Sequence, residues 1–174
     1  MKYIAEQFEF DLRHYKGIMA MAKNRCIGKN NMIPWRYKGD FTWFKEFTKR
    51  ENHRSRVLLM GRKTYQSLPI LMDRKIYVLS NTLNESAGAL MASSEGICEV
   101  HYINNVNRIP ELEIVVAGGK TIYELFMPYI SEFYVTHIDK EYEGDTFMFP
   151  FEHLFSKQEV VREFDFGRVI KYSK

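Results

Sequence analysis

Val57-Leu58-Leu59-Met60-Gly61-Arg62-Lys63-Thr64 and Ile114-Val115-Val116-Ala117-Gly118-Gly119-Lys120-Thr121 repeat one pattern. Each passes from a short apolar run to glycine, then to Lys-Thr, then to a segment with helical spacing. Runs this short, apolar on both faces, fit strands that are covered on both sides, as in a parallel sheet. Residues 18–22 and 76–79 have the same character. Helical patterns lie between these runs. Phe41, Phe44 and Phe47 recur at a spacing of three behind Asp40, a residue type that caps helices, and Ile122, Leu125 and Phe126 share one helical face. Strands alternating with helices predict an α/β domain with crossover connections.

The end of the chain departs from this rhythm. Residues 133–138 read as a strand. Residues 159–166 and 168–172 read as two strands joined by a tight turn at Asp165-Phe166-Gly167-Arg168, and such a hairpin is antiparallel. A mixed sheet is therefore expected. Residues 81–95, rich in Asn, Ser, Gly and Ala, read mainly as a loop, and the first sixteen residues precede the first core strand.

With 174 residues, 45% hydrophobic and 15% aromatic, the chain suits one domain with its own core and is too aromatic to be disordered. Its first residues mix charges through their apolar positions, so no secretory signal is expected. No apolar run approaches the roughly 18 residues of a membrane span. Cys26 and Cys98 are too few for a disulfide framework, which leaves one bridge or, more simply, two reduced thiols in a cytoplasmic protein. A net charge of +3 is too small to argue for a nucleic-acid partner. The five histidines show no metal-ligand spacing, no G-x-S-x-G elbow is present, and Met19, Met21 and Met60 read as core.

The two glycine turns carry a shared chemistry. Glycine lets a ligand approach the backbone, the following helix opens with unpaired N–H groups, and Arg62, Lys63 and Lys120 add charge. Neither turn is a Walker loop or a G-x-G-x-x-G fingerprint. Alone, each reads as a strand-end glycine beside a solvated lysine; the pair points to a phosphorylated ligand. Asp40 borders Phe41, Trp43 and Phe44, downstream of an irregular loop over residues 28–39 that contains Trp35. In an apolar pocket its pKa would rise and it could relay a proton. As an ordinary N-cap its pKa would fall. Spacing alone favours the cap, and the two roles are compatible.

Residues 17–172 resemble the dihydrofolate reductases. The match lies in ordered segments: Ile18-Met19-Ala20-Met21-Ala22, Ile27-Gly28, Ile33-Pro34-Trp35, Asp40 with Trp43-Phe44-Lys45, Met60-Gly61-Arg62-Lys63-Thr64, Arg74-Lys75, Gly118-Gly119 with Ile122-Tyr123, Thr136-His137-Ile138, and Glu143-Gly144-Asp145-Thr146. Each is weak; their order and separations are specific. The resemblance implies a single domain with a mixed, mostly parallel eight-stranded sheet flanked by helices, residues 1–16 being an extension. It implies a monomer that reduces dihydrofolate with NADPH, binds antifolate-type ligands, and uses no metal.

By the same resemblance Asp40 is the acid that promotes N5 protonation, with Trp35 and Thr136 as its companions. Ile18, Ala20, Ile33, Phe44, Leu68, Leu71, Ala117 and Tyr123 line the substrate, and Arg74 grips its glutamate α-carboxylate. Ala20 and Ile27 contact the nicotinamide carboxamide, Ala117 lines the nicotinamide pocket, and Gly28 and Tyr123 also bind the cofactor. Gly61, Arg62, Lys63 and Thr64, Leu79, Ser80 and Asn81, and Gly118, Gly119, Lys120, Thr121 and Ile122 hold the rest. Arg36-Tyr37-Lys38-Gly39 departs from the Leu-Pro common in the family. Ala117 is smaller than usual, Asn81 and Lys120 replace Ser and Arg, and residues 104–110 are short for the helix expected there. Rival readings are a pyrimidine reductase of riboflavin synthesis, a binding module that kept the fold without turnover, and a nucleic-acid binder suggested only by a pI near 8.7.

Overall fold

Nine strands form one sheet in the order β10-β11-β8-β1-β7-β3-β4-β6-β5 in the computed structural model, which describes residues 12–50, 56–82 and 88–174. The strands are β1 (His14–Ala22), β3 (Arg56–Gly61), β4 (Arg74–Leu79), β5 (Ala89–Ser93), β6 (Gly96–Ile103), β7 (Glu113–Val116), β8 (Ile130–Ile138), β10 (Lys157–Phe164) and β11 (Gly167–Ser173). Two short strands, β2 (Cys26–Gly28) and β9 (Thr146–Phe147), pair separately. The helices are α1 (Lys38–Thr48), α2 (Arg62–Ser67) and α3 (Lys120–Phe126). Neighbours from β8 to β6 run parallel, whereas β11 is antiparallel to β8 and β5 to β6. This is a single mixed α/β domain, as predicted.

Side chains alternate across the strands and so build two cores. Met19, Leu59, Tyr77, Val116, Phe133 and Val135 face α3, whose Ile122, Tyr123 and Phe126 pack on them. Ile18, Leu58, Met60, Ile76, Val78 and Val115 face the other way, beneath Trp43, Phe44 and Phe47 of α1 and Tyr65 of α2. This division follows from the connections. The chain crosses from β1 to β3 in one direction and from β7 to β8 in the other, so right-handed crossovers place α1 and α3 on opposite faces. The direction reverses between β1 and β7, and a crevice opens there at the carboxyl ends of the strands.

Three expectations change in detail, and the shortness of residues 104–110 for a helix is borne out. The sheet has nine strands rather than eight, because β5 lies within the stretch read as loop. It is an exposed edge strand, turned back onto β6 through Gly96 at φ +120°, and no apolar alternation marks it. Of the sixteen-residue extension, residues 1–11 lie outside the described structure, but His14–Lys16 already belong to β1 and pair with β7. The hairpin turns at Asp165-Phe166, with Phe164 paired to Gly167. Between β6 and β7 only a 3-10 turn forms, Val106–Arg108, capped by the Asn105 side chain. Cys26 and Cys98 are both free and buried. No helix among the described residues is long and apolar enough to cross a membrane.

Candidate functional site

Asp40 stands on one wall of the crevice. It is the third residue of α1, not its cap: Tyr37 occupies the N-cap position, and its side chain makes no capping hydrogen bond. The Tyr37 carbonyl instead accepts from the backbone N–H groups of Asp40 (3.1 Å) and Phe41 (3.3 Å). The Asp40 carboxyl is therefore free to point inward, and the residue is only 9% exposed. Burial, the largest influence, pushes its pKa above the ordinary carboxylate value; hydrogen bonding from Thr136 and Trp35 opposes this in part. The Trp35 indole N–H lies 3.4 Å from Oδ2. Trp35 comes from the loop after β2, and Thr136 from the inner end of β8. The loop after β2, the first turn of α1 and the distant strand β8 thus meet at one acid.

The other wall is built from the two glycine turns, which are direct neighbours. The Gly61 N–H donates to the Gly118 carbonyl, and the Ala117 N–H to that of Leu59, both at 2.9 Å. The Gly118–Gly119 peptide is cis, and Gly118 has φ +106°, where a Cβ would also fall 3.2 Å from the Tyr123 hydroxyl. That hydroxyl donates to the Ile18 carbonyl at 2.6 Å, tying α3 to β1, and full burial drives its pKa up. The Arg62 guanidinium donates to Thr82 Oγ1 (3.1 Å). Lys63 and Lys120 have no carboxylate partner among the described residues.

The remaining expected residues are placed unevenly. Ile18, Ala117, Phe44 and Leu68 share the apolar cluster beneath α1 and α2, and Ala20 packs beside Trp35. Leu71 belongs to that cluster but is almost wholly buried, and Leu79 and Ile122 sit in the opposite core. Ile27 is half-buried, whereas Ile33 is 50% exposed on the loop. Ser80 is buried, with its hydroxyl near Thr82, and Asn81 and Thr121 face solvent. Gly28 is buried in β2, and Thr64 lies across from Gly119. Arg74 is buried and heavily engaged. Its guanidinium donates to Thr48 Oγ1 (3.0 Å), the Met72 carbonyl (2.5 Å) and the Lys45 carbonyl, which closes the carboxyl end of α1. Burial lowers its pKa.

Asp145 is the residue whose role the sequence did not disclose. Its carboxylate accepts from the Asn30 backbone N–H (2.8 Å) and the Thr146 hydroxyl (2.9 Å), and those bonds hold its pKa down. Its own N–H donates to the Gly28 carbonyl (3.0 Å). The loop over the crevice is thus pinned to the β8–β9 connection. The adjacent Gly144 has no room for a side chain: a Cβ would lie 2.3 Å from Cys26 Sγ and 2.4 Å from the Gly28 oxygen. Among the described residues no group of three His, Cys, Asp or Glu side chains is placed to hold a metal ion.

A doubly wound sheet, a crevice at its point of reversal, a buried carboxyl on one wall and cationic turns on the other define the class: an α/β protein with its candidate site at the topological switch point. Comparison with known proteins narrows the class. A family profile described as dihydrofolate reductase matches residues 15–164. The chain is 37% identical over 137 residues to a dihydrofolate reductase of Staphylococcus haemolyticus, covering 75% of this chain and 73% of that one. It is 35% identical over 130 residues to that of Bacillus subtilis, covering 74% and 71%. Against that of Mycoplasma pneumoniae it is 30% identical over 163 residues, covering 91% and 97%. The chain belongs to the dihydrofolate reductase family.

Proposed function

We propose that this protein reduces 7,8-dihydrofolate to 5,6,7,8-tetrahydrofolate, with NADPH as donor and Asp40 promoting protonation of N5. The observation that carries the reading is Asp40, the only buried carboxylate among the described residues, on the wall of the crevice with its pKa raised. A carboxyl poised above its ordinary range can hold or relay a proton near neutral pH. Thr136 and Trp35 orient it. Ile18, Ala117, Phe44 and Leu68 offer an apolar bed for the ring system, and Ile33 can fold over it from the loop.

The cofactor fits the opposite wall. Gly61, Gly118 and Gly119 bring the two turns together where a side chain would crowd Ile122, Tyr123 or Thr64, and Arg62, Lys63 and Lys120 bring charge with no acid of their own among the described residues. Those three would hold the phosphates. When bound, NADPH supplies the hydride that reaches C6. Arg74 would offer its remaining N–H to a substrate carboxylate while the others bond Thr48 and Lys45 of α1 and the Met72 and Asp73 carbonyls. The loop pinned by Asp145 would exclude water above the reacting ring.

The test is one cuvette with protein, NADPH and dihydrofolate, followed at the NADPH absorbance band. NADPH loss that requires both dihydrofolate and the folded protein is the expected result. A folded protein that leaves NADPH unchanged would overturn the proposal.

A further inference from the structure

The departure at Arg36-Tyr37-Lys38-Gly39 builds a contact of its own. The Tyr37 ring stacks on Phe166 at 4.4 Å and 12°, and Phe166 stacks on Phe164 at 4.7 Å and 9°. The Tyr37 hydroxyl lies 2.5 Å from that of Tyr142. The Tyr142 ring packs on Trp35 at 5.3 Å. Asn24 grips the Tyr142 backbone from both sides: Nδ2 donates to its carbonyl (2.9 Å), and Oδ1 accepts from its N–H (3.3 Å). Gly39 lies flat against the Phe164 and Phe166 rings, where a Cβ would come within 3.3 Å. Four connecting segments therefore converge beside the first turn of α1. Backbone bonds join three of them, from Lys23 to Lys140 (3.0 Å) and from Asp139 to Phe166 (2.9 Å).

We infer that Tyr37 and Tyr142 are positioning residues for the Asp40–Trp35 pair, their joined hydroxyls and the Tyr37–Phe166 stack holding the first turn of α1 and the indole in register. Tyr37 is the N-cap of α1 but caps only through its carbonyl, so its anchored ring decides where that turn sits. The same carbonyl holds the Asp40 N–H. Tyr142 meets the indole from another side. The indole N–H reaches Asp40 at 3.4 Å, near the outer limit of a hydrogen bond, so a small displacement of either partner breaks it. Neither tyrosine touches the reacting atoms in this scheme; both act through Trp35 and Asp40. The inference rests on the proposed reduction for its catalytic consequence, but not for its structural one.

The test uses Tyr37→Phe, Tyr142→Phe, their double variant and Tyr37→Leu. Trp35 emission is read in a Trp43→Phe background, which leaves one tryptophan. Hydride transfer is read in single turnovers with NADPH already bound, beside the Kd for NADPH. Each Phe variant should slow hydride transfer about 3–10-fold, the size of one lost hydrogen bond. The double variant should be no slower than the worse single one, because both remove the same bond. Tyr37→Leu should red-shift Trp35 emission and slow hydride transfer further, with the NADPH Kd unchanged. Unaltered emission and hydride rate in Tyr37→Leu, even with a lower Tm, would reduce the cluster to a stability element. Additive losses in the double variant would overturn the shared bond. If Tyr37→Leu does not fold, the Phe variants decide. If the parent protein fails to reduce dihydrofolate, the function falls while Trp35 emission still judges the positioning.

Discussion

Replacing Asp40 with Asn should separate activity from stability in opposite directions. Asp40 is buried, and burial raises its pKa above the value it has in the unfolded chain. Between those two pKa values the folded state binds more protons than the unfolded one. Stability contributed by this group is therefore full below the unfolded carboxylate range and is lost as pH rises through the folded pKa. Above the folded pKa the ionised Asp40 is a liability of about 1.4 kcal/mol for each pH unit by which the two values differ. Asn removes the liability and can still accept from the Trp35 indole. It forfeits only an acidic charge in the first turn of α1, worth about 0.3–1 kcal/mol. Denaturation of the Asn variant at neutral pH should thus show equal or greater stability, and its advantage over the parent should vanish at acid pH.

Activity should move the other way. Asn can neither carry the charge nor titrate, and proton-transfer assistance typically contributes about 10²–10⁴-fold. Single-turnover hydride transfer should fall by that order, recover partly at lower pH as solvent acid protonates more substrate, and leave the NADPH Kd untouched. In the parent, the hydride rate should decline above an apparent pKa higher than that of an ordinary carboxylate. Near-normal hydride transfer at neutral pH in the Asn variant would refute the acid role. A variant clearly less stable than the parent at neutral pH would refute the claim that burial, rather than favourable hydrogen bonding, dominates at this carboxyl.

Arg74→Leu should raise the KM for dihydrofolate far more than for a pteridine lacking the glutamate tail; equal effects on both would make Arg74 structural. It should also lower stability in urea by about 2–3 kcal/mol, since the Lys45 and Met72 carbonyls and Thr48 lose a charged donor. NADPH should bind roughly one to two decades more tightly than NADH in fluorescence titration at matched salt, the worth of one charge-assisted phosphate contact. Equal Kd values would remove Arg62, Lys63 and Lys120 from that role. Asp145→Ala should release the loop and speed amide exchange at Asn30, with little change in Tm because Asp145 is exposed. Unchanged exchange would show that the loop is held by β2 and β9 alone.

The parallel core of the sheet is legible because burial on both faces leaves unbroken apolar runs, and β1, β3, β4 and β7 all have them. Strands at and next to this edge of the sheet lack that mark. In β6, Cys98 and Val100 point inward while Glu99 and His101 point out, a weaker alternation, and β5 exposes nearly every residue. Its pairing is enforced by the turn at Gly96 and by β6, neither of which is encoded in the residues of β5. The nine-residue length of β1 is hidden for a related reason: His14 and Lys16 are polar, yet they pair with β7 because Lys16 can reach Glu113 (3.1 Å) and Glu132 (3.7 Å) at the rim.

The site divides along a similar line, between chemistry carried by a short segment and chemistry made by packing. The two glycine turns could be read as a pair because each carries glycine and cations within a few residues. That they lie side by side depends on β7 entering between β1 and β3, a consequence of crossover handedness that no local pattern reports. Asp40 is the sharper case. Its spacing favours a helix cap, and only the structure shows that Tyr37 takes the cap and frees the carboxyl to turn inward. Its raised pKa then comes from burial, against opposing hydrogen bonds from Thr136, almost a hundred positions away, and from Trp35, whose ring packs on Tyr142. The identity of an acid is written at one position. Its strength is set by every segment that shuts water away from it.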